Sequence, residues 1–285
     1  MDLPTRSVFR GEILLKRAVV PLLQSTRTYV PDKFLKDLKI TLKSLDLKTG
    51  DIAGTAGTAR LVPMAAATVL QMPGDCGGVR KRIEEPNADV PVRGNDDWEE
   101  REKKNLDARF FGAMRVHDIA SSYVYCWGLH ARTMWQQTGF DPKFLNHYDK
   151  KGIPGYSILT VCEPIKEGCL PDEARPCIVG YQSDVTPLED DRLLVSELNA
   201  LLVLATRYSR RRAYADCNEF VITVITGSDR QVRIAQSRVN FVSNTFDVSL
   251  SRILDFETTI EKNFEDFITL VGWFACSVAP QTSWG

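Results

Sequence analysis

Between Leu193 and Leu204 apolar side chains occupy nearly every position of a helical wheel: Leu193, Leu194, Val195, Leu198, Leu201, Leu202, Val203 and Leu204. A helix that is apolar all round must be buried on most of its sides. Upstream, Thr186-Pro187-Leu188-Glu189 offers a threonine N-cap, a proline at the first helical position and a glutamate at the third, the pattern of a capping box. Downstream, Arg207, Arg210, Arg211 and Arg212 complement the negative end of the helix dipole. Together these features predict a buried helix over about 187–212.

On either side of it the period changes from helical to alternating. Tyr156 to Cys162 and Cys177 to Tyr181 are short apolar runs bounded by proline and glycine, which suits strands. Glu219 to Thr226 alternates and is β-branched, Gly227-Ser228-Asp229 forms a turn, and Gln231 to Val242 and Asn244 to Leu250 continue as strands. A last amphipathic helix is expected over about 255–277, with Ile260, Phe264, Phe267, Ile268, Val271 and Phe274 on one face. The order predicts an α+β fold: a mixed β-sheet packed by the buried helix and by the C-terminal amphipathic helix, with helical segments at the N-terminus.

Those N-terminal segments are Val8 to Leu23 and Phe34 to Leu45, both with helix-like apolar spacing and parted by Pro31. Residues 72–107 break any periodicity with Pro73, Gly74, Gly77, Gly78, Pro86, Pro91 and Gly94, then run through the charged stretch Asp96 to Lys104. Little apolar surface is available there to offset the entropy of ordering the chain, so a loop or linker is expected. The organisation read from the sequence is an N-terminal helical region (1–71), a linker (72–107) and a main α+β domain (108–285). Within the last, Val116 to Gln137 is compatible with a helix, and Asp141-Pro142 marks the start of a second, short one.

Charge and cysteine usage narrow the class. Thirty-six basic and 37 acidic residues leave a net charge of −1, which excludes a strong global pull toward nucleic acid or anionic lipid. Any such binding must come from a local patch, and Arg207, Arg210, Arg211 and Arg212, with Tyr208 interleaved, are the candidate for contacting nucleic-acid phosphates. Seven cysteines, an odd number spread thinly, do not resemble the framework of a secreted disulfide scaffold. No apolar run approaches the roughly 20 residues that span a bilayer. A soluble intracellular protein, cytoplasmic or nuclear and without a membrane partner, is expected.

Glu197 is the residue these arguments leave over. Its helical neighbours are Leu193, Leu194, Ala200 and Leu201, and a carboxylate on such a face must find a partner or resist ionisation. It is a catalytic or metal-binding group facing the sheet, one half of an ion pair with an arginine such as Arg233 or Arg175, or a glutamate at the edge of the apolar face. The three histidines, His117, His130 and His147, lack zinc-site spacing. Cys126 and His130 stand one helical turn apart, the spacing of a nucleophile pair, but inside an aromatic-rich segment that also suits core packing. Gly74-Asp75-Cys76-Gly77-Gly78 lacks the Gly-Lys-Ser/Thr ending of a phosphate loop.

The motifs Gly155-Tyr156-Ser157-Ile158-Leu159, Ala174 to Tyr181 and Arg192 to Leu198 resemble a group of uncharacterised proteins from filamentous fungi, over roughly residues 108–255. The helix followed by three strands also resembles the core of PD-(D/E)XK nuclease-like proteins. That resemblance implies a divalent cation gathered by a helix glutamate, a strand aspartate and a Glu-x-Lys pair. Glu197 takes the first place and Asp229 the second, with Glu219 as a further acid, but Gln236-Ser237-Arg238 stands where Glu-x-Lys belongs. One carboxylate is thereby missing from a set that a hard cation requires. The expectation is a non-catalytic interaction or accessory protein on a degenerate nuclease-like scaffold, with a protein as its partner. The alternatives are a metal-dependent nuclease or phosphodiesterase using Glu197, Asp229 and Glu219, and a small-molecule enzyme whose pocket is lined by the aromatics of 110–148.

Overall fold

The structure, a computed structural model, describes residues 15–25, 27–71, 98–126, 135–139, 145–148, 154–166, 170–214, 217–240, 245–256 and 260–279. Its helices are α1 (Val20–Leu23, continuing a π-helical turn at Leu15–Val19), α2 (Asp32–Asp37), α3 (Ala66–Leu70), α4 (Trp98–Cys126), α5 (Val195–Ser209) and α6 (Phe264–Phe274). Its strands are β1 (Ile40–Ser44), β2 (Leu61–Val62), β3 (Trp135–Gln137), β4 (Asn146–Tyr148), β5 (Pro154–Lys166), β6 (Leu170–Pro171), β7 (Cys177–Asp184), β8 (Glu219–Ser228), β9 (Gln231–Asn240), β10 (Thr245–Leu250), β11 (Leu254–Asp255) and β12 (Ser277–Val278).

Among the described residues ten strands share one mixed sheet, ordered β1-β10-β9-β8-β7-β5-β3, with β11 beside β9 and β4 and β6 beside β5. Strands β7 and β8 run parallel, joined by α5, and β1 runs parallel to β10. The remaining pairs in this sheet are antiparallel. The expected α+β class therefore holds. Helix α5 covers one face together with α1, packing on Ile158, Val161, Ile178, Phe220, Ile222 and Val224. Helices α4 and α6 cover the other, packing on Cys177, Tyr181, Val221, Ile225, Val232 and Ile234. Buried on both faces, β8 uses apolar residues in both phases of the pleat, as central strands do.

Several elements differ from their sequence-based outlines: Trp135–Gln137, expected to end a helix from Val116, pairs with β5 as strand β3, and the C-terminal helix, expected from about residue 255, begins at Phe264. The buried helix starts at Val195, not at Pro187. Thr186 does not cap it: the Thr186 N–H is taken by Asp184 Oδ1 at 2.7 Å, and Asp191 adopts a left-handed φ of 59° that interrupts any helix through it. The intervening chain is instead drawn out against Tyr29, through Val30 N–H to Leu193 O (2.9 Å) and Val195 N–H to Thr28 O (2.9 Å). The helix expected from Phe34 to Leu45 ends at Asp37, and Ile40–Ser44 becomes a strand because β10 offers it an edge. Helix α4 begins at Trp98, inside the segment expected to be loop. The C-terminal helix spans Phe264–Phe274. The short helix expected at Asp141-Pro142 lies outside the described residues, as does most of the remaining linker. Among the described residues no helix is long and apolar enough to cross a membrane.

Helix α4 lies close over the β8–β9 turn, and glycine makes the approach feasible. A Cβ on Gly227 would lie 2.2 Å from the Tyr181 hydroxyl and 3.0 Å from Ala113 Cβ. That hydroxyl is held in place by donating to Ala113 O at 2.8 Å. Gly227→Ala is expected to destabilise the protein by about 1–3 kcal/mol, the usual cost of overpacking. Urea unfolding measures it, and an unchanged midpoint would contradict the close approach.

Candidate functional site

Glu197 sits at the third position of α5, fully buried. Leu194, the N-cap residue, has no side-chain acceptor, so the helix start relies on Glu197 Oε2 accepting the Leu194 N–H at 2.9 Å. The same carboxylate receives Arg233 from β9: Nε to Oε1 at 3.1 Å and Nη2 to Oε2 at 2.6 Å. Arg233, also fully buried, gives its remaining arm to Glu189 O at 2.6 Å. Of the two arginines named as partners, Arg233 is the one; Arg175 pairs with Asp172 at 2.5 Å. Both Glu197 oxygens are engaged by fixed donors, which neutralise the charge where a cation would have to bind.

Beside this pair lies Asp184, at the end of β7 and 3% exposed. It accepts from Ser196 Oγ and from Thr186 N–H. Burial pushes its pKa up to about 6, against those hydrogen bonds, and the nearby Glu197 charge adds to the rise. Gln182 donates to Ser196 Oγ at 3.2 Å, completing a polar seam between β7 and the start of α5.

The other acids named from the sequence do not join Glu197. Asp229 occupies the β8–β9 turn with φ 53°, against Gly112 of α4, the helix on the opposite face of the sheet. Glu219 opens β8, so ten residues of extended chain, roughly 33 Å, separate it from Asp229. Glu219 is held by Arg238 at 2.6 Å and Arg60 at 3.6 Å. Gln236 donates to Thr223 Oγ1. Among the described residues no group of three or more histidine, cysteine, aspartate or glutamate side chains is placed to hold a metal ion. The donor set offered by Glu197, Asp229 and Glu219 does not fit a divalent cation, since the three carboxylates do not converge.

The arginine cluster divides in two. Arg211 donates to both oxygens of Glu163 at 2.8 Å and lies over the Tyr208 ring at 4.2 Å, while Arg207 reaches Gly139 O at 2.9 Å. Arg210 and Arg212 face solvent. His130 lies outside the described residues, so the Cys126–His130 pair is not described.

A second constellation was not singled out from the sequence. Between α4, the sheet and α6 lies a cleft of about 450 Å³. Helix α4 presents His117, Ser121, Val124 and Tyr125 to it, four residues on one helical face. Strands β5 and β7 supply Thr160, Cys162 and Tyr181, and Trp135 and Phe274 close its sides. Tyr125 and Trp135 come from the aromatic-rich segment that the small-molecule alternative had named. His117 packs against the Tyr181 ring at 4.5 Å and the Phe274 ring at 5.8 Å. Its Nε2 lies 3.2 Å from both Ser121 Oγ and Thr160 Oγ1, and its Nδ1 lies 3.2 Å from Asp118 Oδ1.

Thr160 reaches His117 because β5 carries a bulge. Ile158 pairs with Gln182 but Thr160 pairs with Tyr181, so one residue is inserted between them. Ile158 and Val161 face α5, whereas Thr160 and Cys162 face the cleft. In an unbroken strand Thr160 would share the face of Ile158. Burial pushes the Cys162 thiol up to about 11 and the Cys276 thiol to about 12, so both are protonated and poorly nucleophilic at neutral pH. The Ser121 spacing to His117 was visible in the sequence; Thr160 was not, because a bulge has no local signature here.

No protein-family model matches the chain, and no curated protein or solved structure is significantly similar to it.

Proposed function

We propose that this chain is a non-catalytic accessory protein on a degenerate nuclease-like scaffold, and that it works by binding at the cleft between α4 and the sheet. One observation carries the proposal: the Glu197 carboxylate is committed on both oxygens to Arg233 and the Leu194 N–H, deep in the core. A hydrolytic metal centre needs open carboxylate oxygens. The small-molecule alternative is favoured in its binding aspect by a separate observation, the bulge that turns Thr160 onto His117 inside an apolar cleft. Cavities of roughly 300–1,000 Å³ with a few convergent polar groups are the usual form of ligand sites.

Two measurements test this. Single- and double-stranded DNA and RNA incubated with the protein and Mg²⁺ or Mn²⁺ are expected to stay intact. A panel of uncharged aromatic fragments is expected to raise the unfolding temperature. Metal-dependent cleavage that a chelator abolishes would overturn the non-catalytic proposal, and a panel without a single stabilising fragment would overturn the cleft as its working surface.

A further inference from the structure

We infer that the cleft takes a flat, uncharged aromatic heterocycle and recognises one hydrogen-bond acceptor on its edge through the paired hydroxyls of Ser121 and Thr160. The inference rests on the cleft being a binding site and names what that site selects.

Charge is the first constraint. Among the described residues, those around the cleft include no lysine, arginine, aspartate or glutamate. Beside a neutral His117 ring, a phosphate, carboxylate or ammonium group would lose its hydration without gaining a counter-charge from these side chains, a cost of several kcal/mol. Shape is the second. Trp135 is pinned by its Nε1–H donating to Cys276 O at 2.6 Å, and Tyr181 by its hydroxyl on Ala113 O at 2.8 Å. With their polar atoms occupied, these side chains offer the cleft only their apolar rings. Fixed aromatic walls favour a rigid planar guest, because little side-chain freedom is lost on binding.

The polar end of the cleft supplies the third constraint. The Asp118 carboxylate accepts only, so the proton of a neutral His117 ring is drawn to Nδ1 and Nε2 is left with one lone pair. Two hydroxyls lie at 3.2 Å from that lone pair, Ser121 from the same helix and Thr160 from the bulged strand. One proton fills it. The other hydroxyl retains a donor for a guest, and among the described residues neither hydroxyl has a competing side-chain acceptor. A carbonyl oxygen or a ring nitrogen is the matching group.

Quinoline and naphthalene, nearly identical in shape and both uncharged near pH 7.5, differ in that single acceptor. Ligand-observed NMR titration of the full chain is expected to show quinoline binding about five-fold tighter than naphthalene, the worth of one neutral hydrogen bond. Amide shifts at Ser121 and Gly180 place the guest. In Thr160→Val, and separately in Ser121→Ala, the remaining hydroxyl serves His117 and the preference is expected to fall below about two-fold; circular dichroism confirms that each variant is folded. Equal binding of the two compounds overturns the inference while leaving the cleft as a binding site. Preference that persists in both variants overturns the assignment to the hydroxyls. Binding of neither compound, in a protein that other aromatic fragments stabilise, overturns the ligand class; if no fragment binds at all, the cleft proposal itself fails.

Discussion

Arg233→Met is expected to lower stability by about 3–5 kcal/mol, because it leaves the Glu197 carboxylate buried and unpaired. Methionine fills much of the arginine stem's volume, so the loss reports the charge more than a cavity. The carboxylate would still hold the Leu194 N–H, but one backbone donor does not compensate an ion removed from water. The companion variant separates structure from chemistry. Joining Glu197→Gln to Arg233→Met removes both charges and keeps an acceptor for Leu194, so more than half of the lost stability should return. Urea unfolding curves for the wild-type, single and double variants give the comparison. A loss below about 1 kcal/mol for Arg233→Met would show that the pair does not carry the start of α5.

Asp184→Asn is expected to act in the opposite direction and to depend on pH. The carboxyl titrates near 6 in the folded protein against an ordinary 3.8. Between those values the native state holds a proton that the unfolded chain has released, so stability falls as pH rises through the window. Above it the ionised, buried carboxylate costs about 3 kcal/mol, from roughly two pKa units at about 1.4 kcal/mol each. Asparagine still accepts from the Thr186 N–H and carries no charge. The variant should therefore gain on the wild type by about 2 kcal/mol more near pH 8 than near pH 4.5. Unfolding curves at the two pH values measure this, and a gain that stays flat across them would mean that Asp184 is not the titrating group.

How much of this was legible in the sequence varies residue by residue. Glu197 stood out because a carboxylate among leucines must be accounted for, and Arg233 was one of two partners its position suggested. The helix carrying it was drawn too long for a physical reason. Thr186-Pro187-Leu188-Glu189 has the right cap chemistry, but Asp184 takes the Thr186 N–H and the chain around Tyr29 and Val30 claims the backbone at Leu193 and Val195. A local signal yielded to a pairing from more than 150 residues away. The stretch from Phe34 to Leu45 fits a helical period on paper, yet Ile40, Thr41 and Leu42 also suit a strand, and the open edge of β10 decided between them. His117 showed only that it lacked zinc-site spacing. Its meaning depends on Thr160, which reaches it through an inserted residue that no period in β5 reveals.

The pairing of β1 with β10 also imposes an order on synthesis. Ile40 lies opposite Phe246, so the ribosome adds about two hundred residues between them, roughly 10–40 s of elongation at about 5–20 residues per second. Until then β1 has no neighbour to bond, and once β10 emerges its outer edge stays open until β1 arrives. An uncovered strand edge is a template for joining other chains. Among the described residues, the earliest strand thus waits for a partner made about two hundred residues later, and this edge of the sheet closes only when those distant segments meet.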